Sequence, residues 1–395
     1  MSFYGNVWNA WLNLESALIK HYSSPMPILI SNYHAQNTPK THFNSIPMKQ
    51  SALSQSVIVK ALRGQTLRIP NLHNLFRSWP EHQPKLNRHH EHVKPLVDQA
   101  VDRMALKYPL IMRRKKDDIA KFACLWYPQA RKREMEALAL FSTWLVCWDD
   151  AVDANEGDLA GDFASAERWR RQTLGTVREA LAIDGMCARG SDDDPINDVF
   201  RDFGSRICET VSKDQRRVLH DEIQLFTASC AAEQELRLAG RVPDYESYMK
   251  LRIGTVGGRM LCSLVPYAAQ ERRPQAVLSS PEVHQLWTQV CVLLSLSNDV
   301  LSLKKELQTG CVINAVAAIM EPSMTLDMVV AELEARMRMA VKDFDDAARK
   351  LIEDTEGDGE LRPLVEKHVE GCRSIVTGTL ELTLYTPGRS MLGTY

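Results

Sequence analysis

The chain has 395 residues, of which 45% are hydrophobic and 25% charged, with a formal net charge of −2. The length is generous for one core but does not by itself mark two domains. The near-neutral balance gives no reason to expect a nucleic-acid partner, and no apolar run is read as approaching the ~18 residues that span a bilayer.

The N-terminal stretch MSFYGNVWNAWLNLESALIK lacks a basic start, an uninterrupted apolar block and a small-residue cleavage site, so no secretory signal is expected. Residues 1–95 hold eight of the eleven histidines and show little sustained periodicity, which predicts a partly mobile N-terminal extension with a few short helices. His89-His90-Glu91-His92 reads as a solvated surface run, because adjacent helical positions point in different directions. The nine cysteines are scattered without a C-x-x-C pair, and Cys147, Cys230, Cys262 and Cys291 lie in apolar stretches. They read as buried thiols of a reducing compartment, with the cytosol as the default location.

From residue 96 to 395 the pattern is helical almost throughout. Arg133–Asp150 carries Ala137, Leu138, Leu140, Phe141, Trp144, Leu145 and Trp148 at close to a 3.6 period. Further helices are predicted at Phe163–Ile183, 196–212, 214–238 and 244–264. Pro281 can begin a long apolar helix running to Leu307, and helices near 311–321, 325–353 and 360–385 follow. No alternating strand pattern stands out. The expectation is one all-α domain of about ten helices with an apolar interior.

Two oxygen-rich patches end apolar helices. In Trp148-Asp149-Asp150-Ala151-Val152-Asp153, Asp149 and Asp153 lie one turn apart on a shared face, and Asp150 points off it. Carboxylates are unfavourable at a helix C-terminus, where the macrodipole is already negative, unless a cation neutralises them. In Asn298-Asp299-Val300-Leu301-Ser302-Leu303-Lys304-Lys305-Glu306, the side chains of Asn298, Ser302 and Glu306 drift by only about 80° over two turns and form one oxygen stripe. Polar groups set in so apolar a helix demand partners, and a hard divalent cation is one. Lys305 adds a positive donor for a phosphate oxygen. Asp117-Asp118, Asp192-Asp193-Asp194 and Asp343-Phe344-Asp345-Asp346 read as solvated decoys.

The pair D-D-x-x-D and N-D-x-x-S-x-x-K-E resembles the class I terpene synthases, especially the fungal sesquiterpene cyclases, over roughly residues 100–390. The resemblance implies a single class I helical bundle surrounding an apolar active-site cavity. It implies three Mg²⁺ ions, replaceable by Mn²⁺, bridging Asp149 and Asp153 on one side and Asn298, Ser302 and Glu306 on the other. Tyr248-Met249-Lys250-Leu251-Arg252, with Arg252 placed 46 residues before Asn298, is similar to the family's diphosphate-sensing Y-x-x-x-R segment. There the small residues that follow, here Gly254, Gly257 and Gly258, loosen the helix and expose carbonyls to a cationic intermediate. The family's closing Arg-Tyr pair is represented by Arg389, with Ser390 in place of the tyrosine and Pro387 lengthening the segment.

The implied reaction is ionisation of farnesyl diphosphate, with Arg252, Lys305 and Arg389 on the departing diphosphate, followed by cyclisation to a sesquiterpene hydrocarbon or alcohol. Geranyl and geranylgeranyl diphosphates stay open as substrates, and so does a homodimer. Phe141, Trp144 and Trp148 are candidates for facing the cation, with plain core packing as an equal alternative. A chain-elongating prenyl diphosphate synthase shares the fold but carries aspartate-rich motifs on both helices. A non-catalytic scaffold descended from a cyclase is the remaining alternative.

Overall fold

A computed structural model describes residues 54–152, 157, 159–185, 194–271, 275–309 and 313–385. Fifteen α-helices form among them, and no β-strand does. In chain order they are α1 (Gln55–Leu62), α2 (His90–Ala105), α3 (Ile119–Trp126), α4 (Lys132–Val152), α5 (Phe163–Ala180), α6 (Pro195–Ile207), α7 (Lys213–Leu238), α8 (Tyr245–Thr255), α9 (Gly258–Ser263), α10 (Val265–Ala268), α11 (Gln275–Leu278), α12 (Pro281–Thr309), α13 (Ala315–Ile319), α14 (Leu326–Glu353) and α15 (Leu361–Tyr385). Two 3₁₀ helices, Leu72–Phe76 and Pro109–Asp117, join the first three.

Local sequence explains where many of these helices begin. Asp162, Asp194, Asp244, Asn314 and Thr325 each sit in extended backbone and accept a bond from an N–H of the first turn. Ser212 and Gln215 form a reciprocal capping box at the start of α7. Each such cap stabilises its helix by about 1 kcal/mol.

Helix α12 is the central element and packs against α14, α15, α8 and α9. Val283, Leu286, Trp287, Val290, Cys291, Leu293, Leu296 and Val300 along it have no exposed surface. The expectation that no run is long enough to cross a bilayer is corrected here: Pro281–Gln308 passes by length and composition. Its apolar window is 78% buried inside the protein, however, so its hydrophobicity serves the core. On the other side of the bundle, α4 packs on α2, α3 and α6.

Three other expectations change. The division between residues 95 and 96 falls inside α2, and the described part of the preceding segment is anchored: Ile58, Leu62, Phe76 and Trp79 are buried. The Trp79 indole donates to Asp345 (2.9 Å) and its ring lies 5.0 Å from that of Phe344. The helix expected over 244–264 is broken, because α8 stops at Thr255 and Gly257 adopts a left-handed turn (φ +73°). Among the supposed decoys, Asp194 is buried and takes the indole N–H of Trp169 and the hydroxyl of Tyr108. Arg114, Asp117 and Asp345 are likewise engaged in ion pairs.

Candidate active site

The second oxygen-rich motif forms a connected assembly on the C-terminal half of α12. Ser302 donates its hydroxyl to Glu306 Oε1 (2.5 Å). Asn314, the cap of α13, donates one amide to both Glu306 Oε2 (2.8 Å) and the Asp299 carbonyl (2.9 Å). Asp299 is 1% exposed, and its carboxylate accepts from the Tyr248 hydroxyl and from the backbone N–H of Ala315 (2.9 Å). Arg252, one turn beyond Tyr248 on α8, donates to Asn298 Oδ1 (2.8 Å) and lies 3.5 Å from Asp299. The four-residue spacing of Tyr248 and Arg252 therefore matches the adjacent Asn298 and Asp299 side for side.

Electrostatics follow from burying these charges together. Burial, and then the charge of Asp299, push Glu306 up to about 7, against the pull of Ser302, Asn314 and Arg252. Burial also raises Asp299, opposed by Arg252, Tyr248 and the Ala315 N–H. Burial alone would lower the Arg252 guanidinium, but Tyr248, Asp299, Glu233 and Glu306 outweigh it and hold it raised and charged. The Arg252 Nε–H is buried without an acceptor among the described residues. An unpaired guanidinium donor beside a stripe of oxygens is a place for an anion carrying its own cation.

The first motif is arranged differently. Asp149 is exposed at the end of α4, while Asp150 is buried and clamped by the Arg114 guanidinium, which also holds Asp117 (2.5 Å). Asp150 is thus turned away, as its helical position predicts. Asp153 and Arg389 lie outside the described residues. Lys305 is exposed on α12, about 20° around the helix from Asn298.

The break between α8 and α9 lies against both helices that carry the motifs, α4 and α12. A Cβ placed on Gly257 would stand 3.5 Å from Leu145, one turn below Asp149, and one on Gly258 would stand 3.1 Å from Leu294, one turn below Asn298. Cys230, on α7, is a buried thiol. Burial raises it well above its ordinary value, Asp149 and Glu233 add to the rise, and Arg170 and Arg252 oppose it.

The oxygen donors fit a hard divalent cation, because Glu306 and Asp299 crowd two buried carboxylates whose repulsion an ion would relieve. No group of three His, Cys, Asp or Glu side chains gathers among the described residues. The α12 set contributes a single carboxylate together with an amide and a hydroxyl.

One open sequence reading is decided and another is revised. Phe141, Trp144 and Trp148 are fully buried among the rings of Phe200, Phe203, Phe226 and Trp169, with Trp148 stacked on Trp169 at 5.2 Å. They are core between α4, α5, α6 and α7, not a lining for a cation. Gly254 lies within α8 and serves close packing, since a Cβ there would collide with Ser229 of α7. Sequence reasoning missed Asp299, Tyr248 as its partner, and Asn314. Only the adjacency of Asp299 to Asn298 and the cap-like Asn314 before an alanine-rich turn hinted at them.

Comparison with known proteins places this geometry. Residues 140–343, more than half of the chain, match the family described as terpene synthase family 2, C-terminal metal binding. The chain is 27% identical over 338 residues to the sesquiterpene cyclase hepA of Aspergillus oryzae, covering 81% of this chain and 90% of that one. It is 25% identical to the silphinene synthase peniA of Penicillium patulum, covering 85% and 89%. In fold it is similar to the linalool/nerolidol synthase from Streptomyces clavuligerus solved with 2-fluorogeranyl diphosphate (TM-score 0.64, 16% identity, 82% of this chain and 99% of that one). The germacradien-4-ol synthase from Streptomyces citricolor is also alike in fold (TM-score 0.61, 19% identity, 81% and 98%). The chain belongs to the class I terpene synthases and is a terpene cyclase, a lyase of prenyl diphosphates.

Proposed function

We propose that this cyclase is a sesquiterpene synthase that ionises farnesyl diphosphate with the help of Mg²⁺ and closes the resulting cation to a hydrocarbon or alcohol. The observation that carries the reading is the Arg252–Asn298–Asp299 junction, where a half-buried guanidinium with a buried, unused Nε–H meets the oxygen stripe of α12. The name of the relative from Aspergillus oryzae supports a fifteen-carbon substrate.

Asn298, Ser302 and Glu306 would hold one ion and Asp149 with Asp153 the others, three in all. Bound divalent ions supply electrophilic activation of the departing diphosphate. Arg252 gives fixed donors to the phosphate oxygens, and Lys305 and Arg389 add positive charge as the leaving group develops its own. Leu145 and Leu294, one turn below the two motifs, give the hydrocarbon a water-excluding surface.

Incubation with farnesyl diphosphate and Mg²⁺, followed by gas chromatography and mass spectrometry, tests the proposal. A sesquiterpene that vanishes with chelator is expected. Activity confined to geranyl or geranylgeranyl diphosphate overturns the substrate, and longer diphosphates formed with isopentenyl diphosphate overturn the reaction.

A further inference from the structure

The break between α8 and α9 lies against both helices that carry the motifs, and something must fix its position. The turn itself contributes little: Gly257 alone makes the left-handed corner after Val256, and α9 is only six residues long. Arg259, the second residue of α9, is 8% exposed. Its Nε and Nη2 donate to the two carboxylate oxygens of Glu222 on α7 (2.7 and 2.8 Å), and Glu222 is also 8% exposed. Nη2 donates again to His284 Nδ1 on α12 (3.1 Å), and the guanidinium lies 5.6 Å from the Trp287 ring. Burial first, and then Arg259, hold His284 below its ordinary value despite Glu222, which keeps it a neutral acceptor. Trp287 in turn donates its indole N–H to the buried His368 on α15 (2.9 Å).

This cluster ties the start of α9 to α7, α12 and, through Trp287, α15. Its α12 members, His284 and Trp287, lie 14 and 11 residues from Asn298, about 21 and 17 Å along the helix, so they are too remote to touch a diphosphate bound there. A buried ion pair is poor at adding stability, since desolvation of both charges offsets their attraction. What a bidentate pair does well is fix geometry. The geometry at stake is that of the Thr255–Gly258 backbone, with Gly257 against Leu145 of α4 and Gly258 against Cys291 and Leu294 of α12.

Building on the cyclase reading above, we propose that Arg259 is a positioning residue for cyclisation. Its clamp on Glu222, backed by His284 and Trp287, sets where the Val256–Gly257 corner stands between the two oxygen-rich helices. That position selects among the ring closures open to the substrate cation. Ionisation, which rests on Arg252 and the α12 stripe, does not depend on it.

The test uses Arg259→Lys and the double variant Arg259→Met with Glu222→Leu. The double variant replaces both charges by apolar groups of similar size and so keeps the core filled. Two quantities are read: amide hydrogen exchange over residues 253–260, and the ratio of terpene products beside the rate of diphosphate release. Expected for the double variant are exchange about tenfold faster in that segment, diphosphate release within about fivefold of wild type, and a changed product ratio. Arg259→Lys is expected to lie between the two. Wild-type exchange in a folded double variant overturns the proposal, and so does faster exchange with an unchanged product ratio. A wild-type chain that releases no diphosphate sinks the cyclase reading itself. That result is distinct, because the exchange measurement needs no turnover.

Discussion

The two oxygen-rich helix segments are built on different plans. At the end of α4 the buried carboxylate, Asp150, is drawn back onto Arg114, leaving Asp149 exposed. At the end of α12 the buried carboxylate, Asp299, is the hub that α8 and α13 bond to, and its neighbours Asn298, Ser302 and Glu306 are bonded in turn. The α12 side chains are bonded to one another and to α8 and α13, while Asp149 at the end of α4 is exposed. In the function proposed above, fixing one arm in advance would lower the ordering cost of binding and leave the other to adapt to the incoming diphosphate.

The strongest way to break this contrast is to remove ligands from each arm. Asn298→Ala with Ser302→Ala, and separately Asp149→Ala, should each lower diphosphate release by at least about 10³-fold with helicity unchanged by circular dichroism. The thermal shift produced by Mg²⁺ and pyrophosphate should vanish in the α12 variant and survive in part in Asp149→Ala. Turnover retained in either variant removes that arm from the site.

Next in size is stability. Asp299→Ala strands the Tyr248 hydroxyl, the Ala315 N–H and part of Arg252 in the interior, which should cost about 3–5 kcal/mol in urea unfolding. Asp150→Ala leaves Arg114 still paired with Asp117, so its cost should be about 1–3 kcal/mol. Equal losses would erase the distinction between hub and clamp.

Proton binding sharpens the contrast further. In the metal-free protein Glu306 moves from an ordinary 4.5 to about 7, so the folded state holds this proton more tightly than the unfolded chain. Its contribution to stability is full below pH 4.5 and is lost as pH rises through about 7, a swing on the order of 3 kcal/mol. Asp299, also raised, acts in the same direction. Urea titrations without metal should show wild type losing stability relative to Glu306→Gln between pH 4.5 and 7. A flat difference across that window would mean the carboxyl is ionised throughout.

These tests lean on contacts of unequal visibility in the sequence. The stripe of Asn298, Ser302 and Glu306 was legible because helical spacing alone places it, as were Asp150 pointing off the shared face and the long apolar α12. The Tyr248–Asp299 bond joins residues 51 apart and the Arg114–Asp150 clamp residues 36 apart. No local period encodes such pairs, which arise only once α8 lies on α12 and the 3₁₀ segment folds back on α4. Solvated readings failed at Asp194 and Asp117 for the same reason: a polar run tells nothing of the wall brought to it by tertiary packing. The break after α8 was half legible, since the glycines announced it but only packing shows that Gly257 turns the chain while Gly254 and Gly258 admit close neighbours.

The smallest expected effect separates the two cations of the α12 side. Arg252 is half-buried and bonded to the motif, whereas Lys305 is exposed on the same stripe. An exposed ammonium in high dielectric contributes at most about 1 kcal/mol to holding an anion, which is about fivefold in KM. Lys305→Ala should therefore raise KM for the prenyl diphosphate by no more than that and leave kcat nearly unchanged, with the difference shrinking in added salt. Steady-state kinetics at two ionic strengths read this directly. A hundredfold fall in kcat, insensitive to salt, would place Lys305 on the leaving group in a closed, dry site. The grip on diphosphate would then be assembled during closure and not set in advance on α12.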